Sequence, residues 1–381
     1  MSVFPKDAVD VVTPEALALA LPALASSREL AVDVEADAMH AFRPRLCFVQ
    51  LATDEHLFLT DTLAPGLSLN PLAELFADPE HTKFFHAAGG DLEYLAAAGI
   101  RVRGLFDTHR AVTLLGWPKV GLADLVREKF QVELQKEHQQ SDFSIRPLPP
   151  ELRSYIADDV RYLVEVGRWV RQACVEADVL EEVELDCRRM SDEAAVKPDV
   201  GADYRPKLPR NGLSPVQVAL AQAIARELHA LRLKWAEAAN VPMGRMLSNM
   251  AIAELATKPP PGVKEMFKVP GVRGPFVREH GDEVLAVLQG LRAQSERGEL
   301  ASDEKGERPD PARRKRAEAL KAWRAEKAKV RKVTPSVVLT NPLLEALAAS
   351  PPKAASDLER VPYFGDKRLR LYGAELAQLL G

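Results

Sequence analysis

Leu30-Ala31-Val32-Asp33-Val34-Glu35 reads as a buried strand that carries two acids. Aliphatic side chains occupy Leu30, Val32 and Val34, and successive side chains of a strand point to opposite faces. Asp33 and Glu35, two apart, therefore share a face. Adjacent carboxylates repel each other, and burying either one unpaired costs several kcal/mol. A cation held between them removes both problems, so the pair is a candidate metal-ligand set.

Around this strand the chain mixes strands and helices. Thr13-Pro14-Glu15 opens a helix with a capping residue, proline at the first position and an acid. Two further strands are expected over Arg45–Ala52 and Glu55–Thr60, with Thr53-Asp54 as the turn, giving three antiparallel strands in a row. Asn70-Pro71 starts a helix over 71–78, and Thr82–Ala87 reads as a fourth strand. After Gly89-Gly90, Asp91-Leu92-Glu93 opens a helix that stops at Gly99. A fifth strand around Arg103–Phe106 leads to Asp107, and from Leu122 the pattern is mostly helical. Strands with helices packed around them predict an α/β domain with a mixed sheet.

At 381 residues the chain is long enough for two or three domains, and 46% hydrophobic content supplies their cores. No apolar run approaches the ~20 residues of a membrane span. Met1-Ser2-Val3-Phe4-Pro5-Lys6-Asp7 lacks the layout of a signal peptide. Cys47, Cys174 and Cys187 form neither a disulfide framework nor a zinc pattern. A cytoplasmic monomer with no membrane association is expected. Residues 1–200 hold 20 Lys+Arg against 34 Asp+Glu, and the remainder 31 against 21. A basic second half suits a polyanion partner; solvated helix faces of differing sign explain the split equally well.

Near Val196–Pro215, Lys197-Pro198, Arg205-Pro206, Leu208-Pro209, Arg210-Asn211-Gly212 and Ser214-Pro215 read as a linker. Beyond it a helical pattern repeats at an offset of 92 residues. Leu247-Ser248-Asn249 matches Leu339-Thr340-Asn341, Pro259-Pro260 matches Pro351-Pro352, Val269-Pro270 matches Val361-Pro362, and Gly281 matches Gly373. The same caps, turns and core faces are used twice. A charged stretch from Glu296 to Arg316 separates the copies.

Three more positions join the first pair as candidates. Asp91 follows a strand and two glycines, where a helix N-cap is the plain alternative. Tyr155 and Asp159, four apart on a helix begun by Pro149-Pro150-Glu151, share one face. Taken singly, Tyr155 fits the core and Asp159 the surface.

Together these residues resemble the ribonuclease D group of 3′→5′ exonucleases, the DEDD family with tyrosine in its third motif. The first motif is Asp33-Val34-Glu35, followed by Arg45-Leu46-Cys47-Phe48-Val49-Gln50-Leu51. The second is Phe85-His86-Ala87-Ala88-Gly89-Gly90-Asp91-Leu92-Glu93-Tyr94-Leu95. The third is Tyr155-x3-Asp159-Val160-x2-Leu163. Gly121-Leu122, Lys136, Ser141-Asp142-Phe143 and Arg146-Pro147-Leu148 match as well, so the likeness covers most of residues 15–190. The repeated modules resemble HRDC domains, small helical nucleic-acid-binding units.

The resemblance implies an α/β ribonuclease H-like exonuclease domain with a mixed sheet, followed by two small all-α HRDC-like domains. The expected division is 1–195 for the exonuclease, 196–212 for a linker, 213–293 for the first helical domain, 294–311 for a charged linker and 312–381 for the second. It further implies two divalent ions, Mg²⁺ or Mn²⁺, since all-oxygen donors suit hard cations. Asp33, Glu35 and Asp159 are then ligands of one ion, Asp33 bridges to a second held largely through water by Asp91, and Tyr155 orients the attacking water. His86 reads as a structural partner near the site. With Lys136 and Arg146 it completes the candidate substrate contacts. Asp158, turned about 100° around the helix from Asp159, carries no role.

The expected activity is metal-dependent 3′→5′ trimming of structured RNA, tRNA precursors included, with release of nucleoside 5′-monophosphates. Single-stranded DNA is the alternative substrate. A non-catalytic nucleic-acid-binding scaffold ranks last, because all four carboxylates and Tyr155 are present.

Overall fold

The computed structural model of the chain describes residues 4–5, 7–135, 137–194, 204, 207–209, 211–300 and 310–380. Lys136 and much of the expected linkers lie outside these residues. The chain divides into two compact units, one drawing on Met1–Ala36, Leu46–Val196 and Pro309–Gly381, the other on Asp37–Arg45 and Lys197–Arg308.

The first unit is built on a six-stranded sheet. Its strands are β1 (Ala8–Val11), β2 (Glu29–Ala36), β3 (Leu46–Ala52), β4 (Leu57–Asp61), β5 (Thr82–Phe85) and β6 (Leu105–Asp107), in the order β1-β4-β3-β2-β5-β6. β2, β3 and β4 are antiparallel neighbours, while β1–β4, β2–β5 and β5–β6 pair in parallel, so the sheet is mixed as expected. The short edge strand β1 has no counterpart in the reading of the sequence. The turn after β3 spans four residues and not two. The Thr53 hydroxyl accepts from the N–H groups of Glu55 and His56, which holds both out of the ladder until Leu57.

Two helices lie on the acid-bearing face. Pro150–Arg161 crosses β2, β3 and β4, and Leu163–Glu176 packs on β5 and β2. Gly167 permits the second contact: a Cβ there would come within 2.3 Å of the Phe84 ring. The opposite side chains of β2, Leu30, Val32 and Val34, enter the same apolar core as Leu17, Ala20 and Leu24 of the Pro14–Ser26 helix.

The second helical repeat belongs to this first unit. Val337 is buried in the sheet domain's core, and the Thr334 hydroxyl donates to the carbonyl of Leu114 at 2.7 Å. The contact is also ionic. Glu182, fully buried on the Leu180–Glu193 helix, binds Arg331 at 2.6 Å and Lys367 at 3.3 Å.

Both repeats use one set of fastenings. Ser248 and Thr340 cap the helices Asn249–Thr257 and Asn341–Ala349. Arg232 donates to the Leu247 carbonyl and the Asn249 side chain, and Arg324 does the same with Leu339 and Asn341. Trp235 and Trp323 are partly buried, as expected of core residues, and their indole N–H groups donate to Glu283 and Glu375.

Candidate active site

β2 carries Asp33 and Glu35 to the face covered by the Pro150–Arg161 helix. The ladder shifts register between Glu35 and Ala36, where Cys47 is the extra residue on β3. Such bulges re-aim side chains at strand ends. Pro150 starts the covering helix, and Tyr155 and Asp159 project from one of its faces. Carboxylate oxygens of Asp33, Glu35 and Asp159 all lie within 4.8 Å of one another. The Tyr155 hydroxyl is hydrogen-bonded to Asp159. Asp91 is the third residue of the Gly89–Ala97 helix, whose capping position belongs to Ala88, so the capping alternative does not hold. That helix packs on β2, and Asp91 feels the charges of Asp33 and Asp159.

Burial and mutual repulsion dominate the electrostatics. Burial pushes Asp33 up to about 7, against one backbone hydrogen bond from Val34. Burial, then the charges of Asp33, Asp159 and Asp91, push Glu35 up to about 10. Asp91 and Asp159 are raised for the same two reasons, burial first and Asp33 next. Tyr155 is pushed above its ordinary range, chiefly by burial and then by Asp159. An all-carboxylate set that resists ionisation when bare fits a hard divalent cation, which supplies the missing positive charge.

These shifts set a pH dependence. A carboxyl whose folded pKa lies above its unfolded value holds a proton that the unfolded chain releases, so folding is disfavoured as pH rises. The metal-free protein is therefore expected to lose stability from about pH 4 upward, through about 7 for Asp33 and on towards about 10 for Glu35. Urea unfolding at pH 5 and pH 8, with and without Mg²⁺, checks this. The metal-free midpoint should be lower at pH 8, and Mg²⁺ should narrow the gap.

Asp107 escaped the reading of the sequence. Fully buried at the end of β6, it accepts from the N–H groups of Ala87, Ala88 and Arg110 at 3.1, 2.9 and 3.0 Å. It thereby fixes the turn that leads into Asp91, in which Ala87 has φ 68°. The only signal in the sequence was an acid ahead of Thr108-His109-Arg110, an N-cap pattern.

The candidate substrate contacts lie in different settings, and His86 has the structural partner expected of it. His86 binds the Thr108 hydroxyl at 2.9 Å, and burial, then His109, lowers it to about 3, so it offers no charge to a phosphate. Arg146 is directed inward: Nε and Nη2 bind Asp61, Nη2 also the Cys47 carbonyl, and Nη1 the Phe143 and Ile145 carbonyls. All five of its N–H donors are engaged, so Arg146 pins the 143–146 segment to the sheet. Lys136 lies outside the described residues. Asp158 pairs with Arg161 at 2.7 Å, and its charge adds to the rise of Asp159.

The acidic cluster on a mixed sheet, covered by a helix bearing tyrosine and aspartate, fits the 3′→5′ exonuclease class that the resemblance implies. Residues 9–169 match the 3′-5′ exonuclease family, and residues 221–288 and 313–380 match the HRDC domain. Ribonuclease D of Gluconacetobacter diazotrophicus is 32% identical over 290 residues, covering 75% of this chain and 72% of that protein. Ribonuclease D of Granulibacter bethesdensis is 30% identical over 352 residues, covering 91% and 87%. The catalytic core of RRP6 from Trypanosoma brucei has a TM-score of 0.64 at 27% identity, over 77% of this chain and 83% of that one. Escherichia coli RNase D shares the fold, with a TM-score of 0.67 at 23% identity over 98% and 99%.

The chain belongs to the ribonuclease D family. It is a 3′→5′ exoribonuclease with an RNase H-like catalytic domain and helical HRDC domains, and RNA is its substrate. No helix among the described residues is long and apolar enough to cross a membrane.

Proposed function

We propose that this exoribonuclease trims the 3′ ends of structured RNA, tRNA precursors among them, and releases nucleoside 5′-monophosphates with the help of two divalent ions, Mg²⁺ or Mn²⁺. The convergence of Asp33, Glu35 and Asp159 within 4.8 Å carries the reading. Bound divalent ions supply a water nucleophile near neutral pH and charge relief at the leaving 3′-oxygen. Asp33, Glu35 and Asp159 would hold one ion, and Asp33 and Asp91 would serve the other. Tyr155 keeps its proton, because burial and Asp159 raise its pKa. It therefore orients the attacking water by hydrogen bonding and does not act as a base. The HRDC domains, as nucleic-acid-binding units, support a long RNA substrate. Exposed Arg313, Lys315 and Lys321 on the Pro311–Arg331 helix form no ion pair among the described residues and suit phosphate contacts.

The test is incubation with a 3′-extended tRNA and Mg²⁺ or Mn²⁺. Stepwise shortening with release of mononucleotides is expected. Failure to release them, or equal activity after chelation, overturns the reading.

A further inference from the structure

Gln50 lies beside the active-site carboxylates, and its side chain has no hydrogen-bond partner among the described residues. It sits on β3 directly across the antiparallel ladder from Asp33. Residues opposite one another in such a ladder project to the same face. Its other neighbours on that face are apolar: Phe48 and Ala52 along β3, and Leu59 across on β4. The Pro150–Arg161 helix crosses these strands, so the carboxamide is enclosed between sheet and helix beside the carboxylates. Gln50 is 0% exposed, and neither its Nε2 nor its Oε1 has a hydrogen-bond partner among the described residues.

A buried amide with both ends unmatched is destabilising, and a leucine of similar size would avoid the penalty. The arrangement makes chemical sense when the carboxylates are ionised around a cation. Ionised Asp33 then needs hydrogen-bond donors for the lone pairs not engaged by metal, and the donor that the structure gives it is the Val34 N–H. Partners of this kind fix the orientation of ligating carboxylates.

We propose that Gln50 is a positioning residue for the metal site. Its Nε2–H donates to the Asp33 carboxylate, and its Oε1 accepts from a water that accompanies the cation. This rests on the reading of the carboxylate cluster as a divalent-ion site.

The test uses the full chain and Mn²⁺ as the probe. Calorimetric titration of wild type, Q50L and Q50M is combined with metal-free thermal unfolding and with steady-state cleavage of a 3′-extended RNA. Both variants should bind Mn²⁺ about 10-fold or more weakly. Their metal-free midpoint should be unchanged or raised, and kcat should fall with KM for RNA little altered. Wild-type affinity in either folded variant overturns the proposal. So does a loss of affinity matched by a fall in the metal-free midpoint, which marks plain packing. If wild type itself binds no Mn²⁺, the reading of the carboxylate site fails, and this inference with it.

Discussion

Asp33→Asn is expected to remove RNA cleavage and, at the same time, to stabilise the metal-free protein. Asp33 is the residue that every other acid of the cluster feels: its charge raises Glu35, Asp91 and Asp159 alike. An amide in its place cannot balance a cation, so both proposed ions lose a ligand. Metal assistance lowers the barrier by several kcal/mol, and a loss of about 4 kcal/mol of it lowers turnover roughly 1000-fold. Stability moves the other way. An acid pushed up to about 7 from an ordinary value near 3.8 is penalised by up to about 4 kcal/mol once ionised. Asparagine removes that charge but stays a buried polar group, so a gain on the order of 1–3 kcal/mol is expected at pH 8. Single-turnover cleavage and metal-free urea unfolding of the same variant measure the two effects. A metal-free protein less stable than wild type at pH 8 counts against this placement of the charges. Added Mg²⁺ should raise the wild-type midpoint and leave the variant's nearly unmoved.

Glu182→Ala should be among the most destabilising single changes in the first unit, although Glu182 lies far in sequence from every motif acid. Its side chain is fully buried between Arg331 and Lys367, and Arg331 is otherwise held by the Asp178 backbone and side chain. Removing one partner of a buried ion pair leaves the other charge uncompensated and costs about 3–5 kcal/mol. Here two cations lose their shared buried acceptor and keep the exposed Asp178, Arg331 at 3.6 Å and Lys367 at 2.8 Å. Urea unfolding of the full chain should show the loss, with Glu182→Gln retaining part of the stability through its carbonyl oxygen. Replacing Glu182, Arg331 and Lys367 together by apolar residues of similar size should restore most of it, because the desolvation penalty disappears with the charges. A loss under about 1 kcal/mol for Glu182→Ala would mean that the cluster is solvated like a surface pair.

Lys367 and Arg331 show why some of this protein was legible in its sequence and some was not. Their own helices follow from local pattern: Pro311 at the first turn of Pro311–Arg331, and the apolar spacing of Asp366–Leu380. That both cations meet Glu182, 149 and 185 residues earlier, is a matter of docking. Arg146 makes the same point at the site. As a basic residue in a motif-like segment it reads as a phosphate ligand, yet Asp61, 85 residues away, takes its guanidinium.

The sequence by itself determined the strand Leu30–Glu35, the shared face of Asp33 and Glu35, the Tyr155/Asp159 helix face and the twofold helical repeat. Each of these is set by a local period, two for a strand and close to four for a helix, or by a cap or turn within a few residues. Tertiary structure alone decided that Asp91 comes close enough to feel the charges of Asp33 and Asp159, and that Asp107 holds the turn before it. It also decided that Gln50 is left unmatched beside Asp33, and that the second repeat packs with the nuclease sheet. Those outcomes depend on which distant groups share a low-dielectric interior. There an unpaired charge or amide is costly enough to fix the arrangement, and no local pattern encodes the partner.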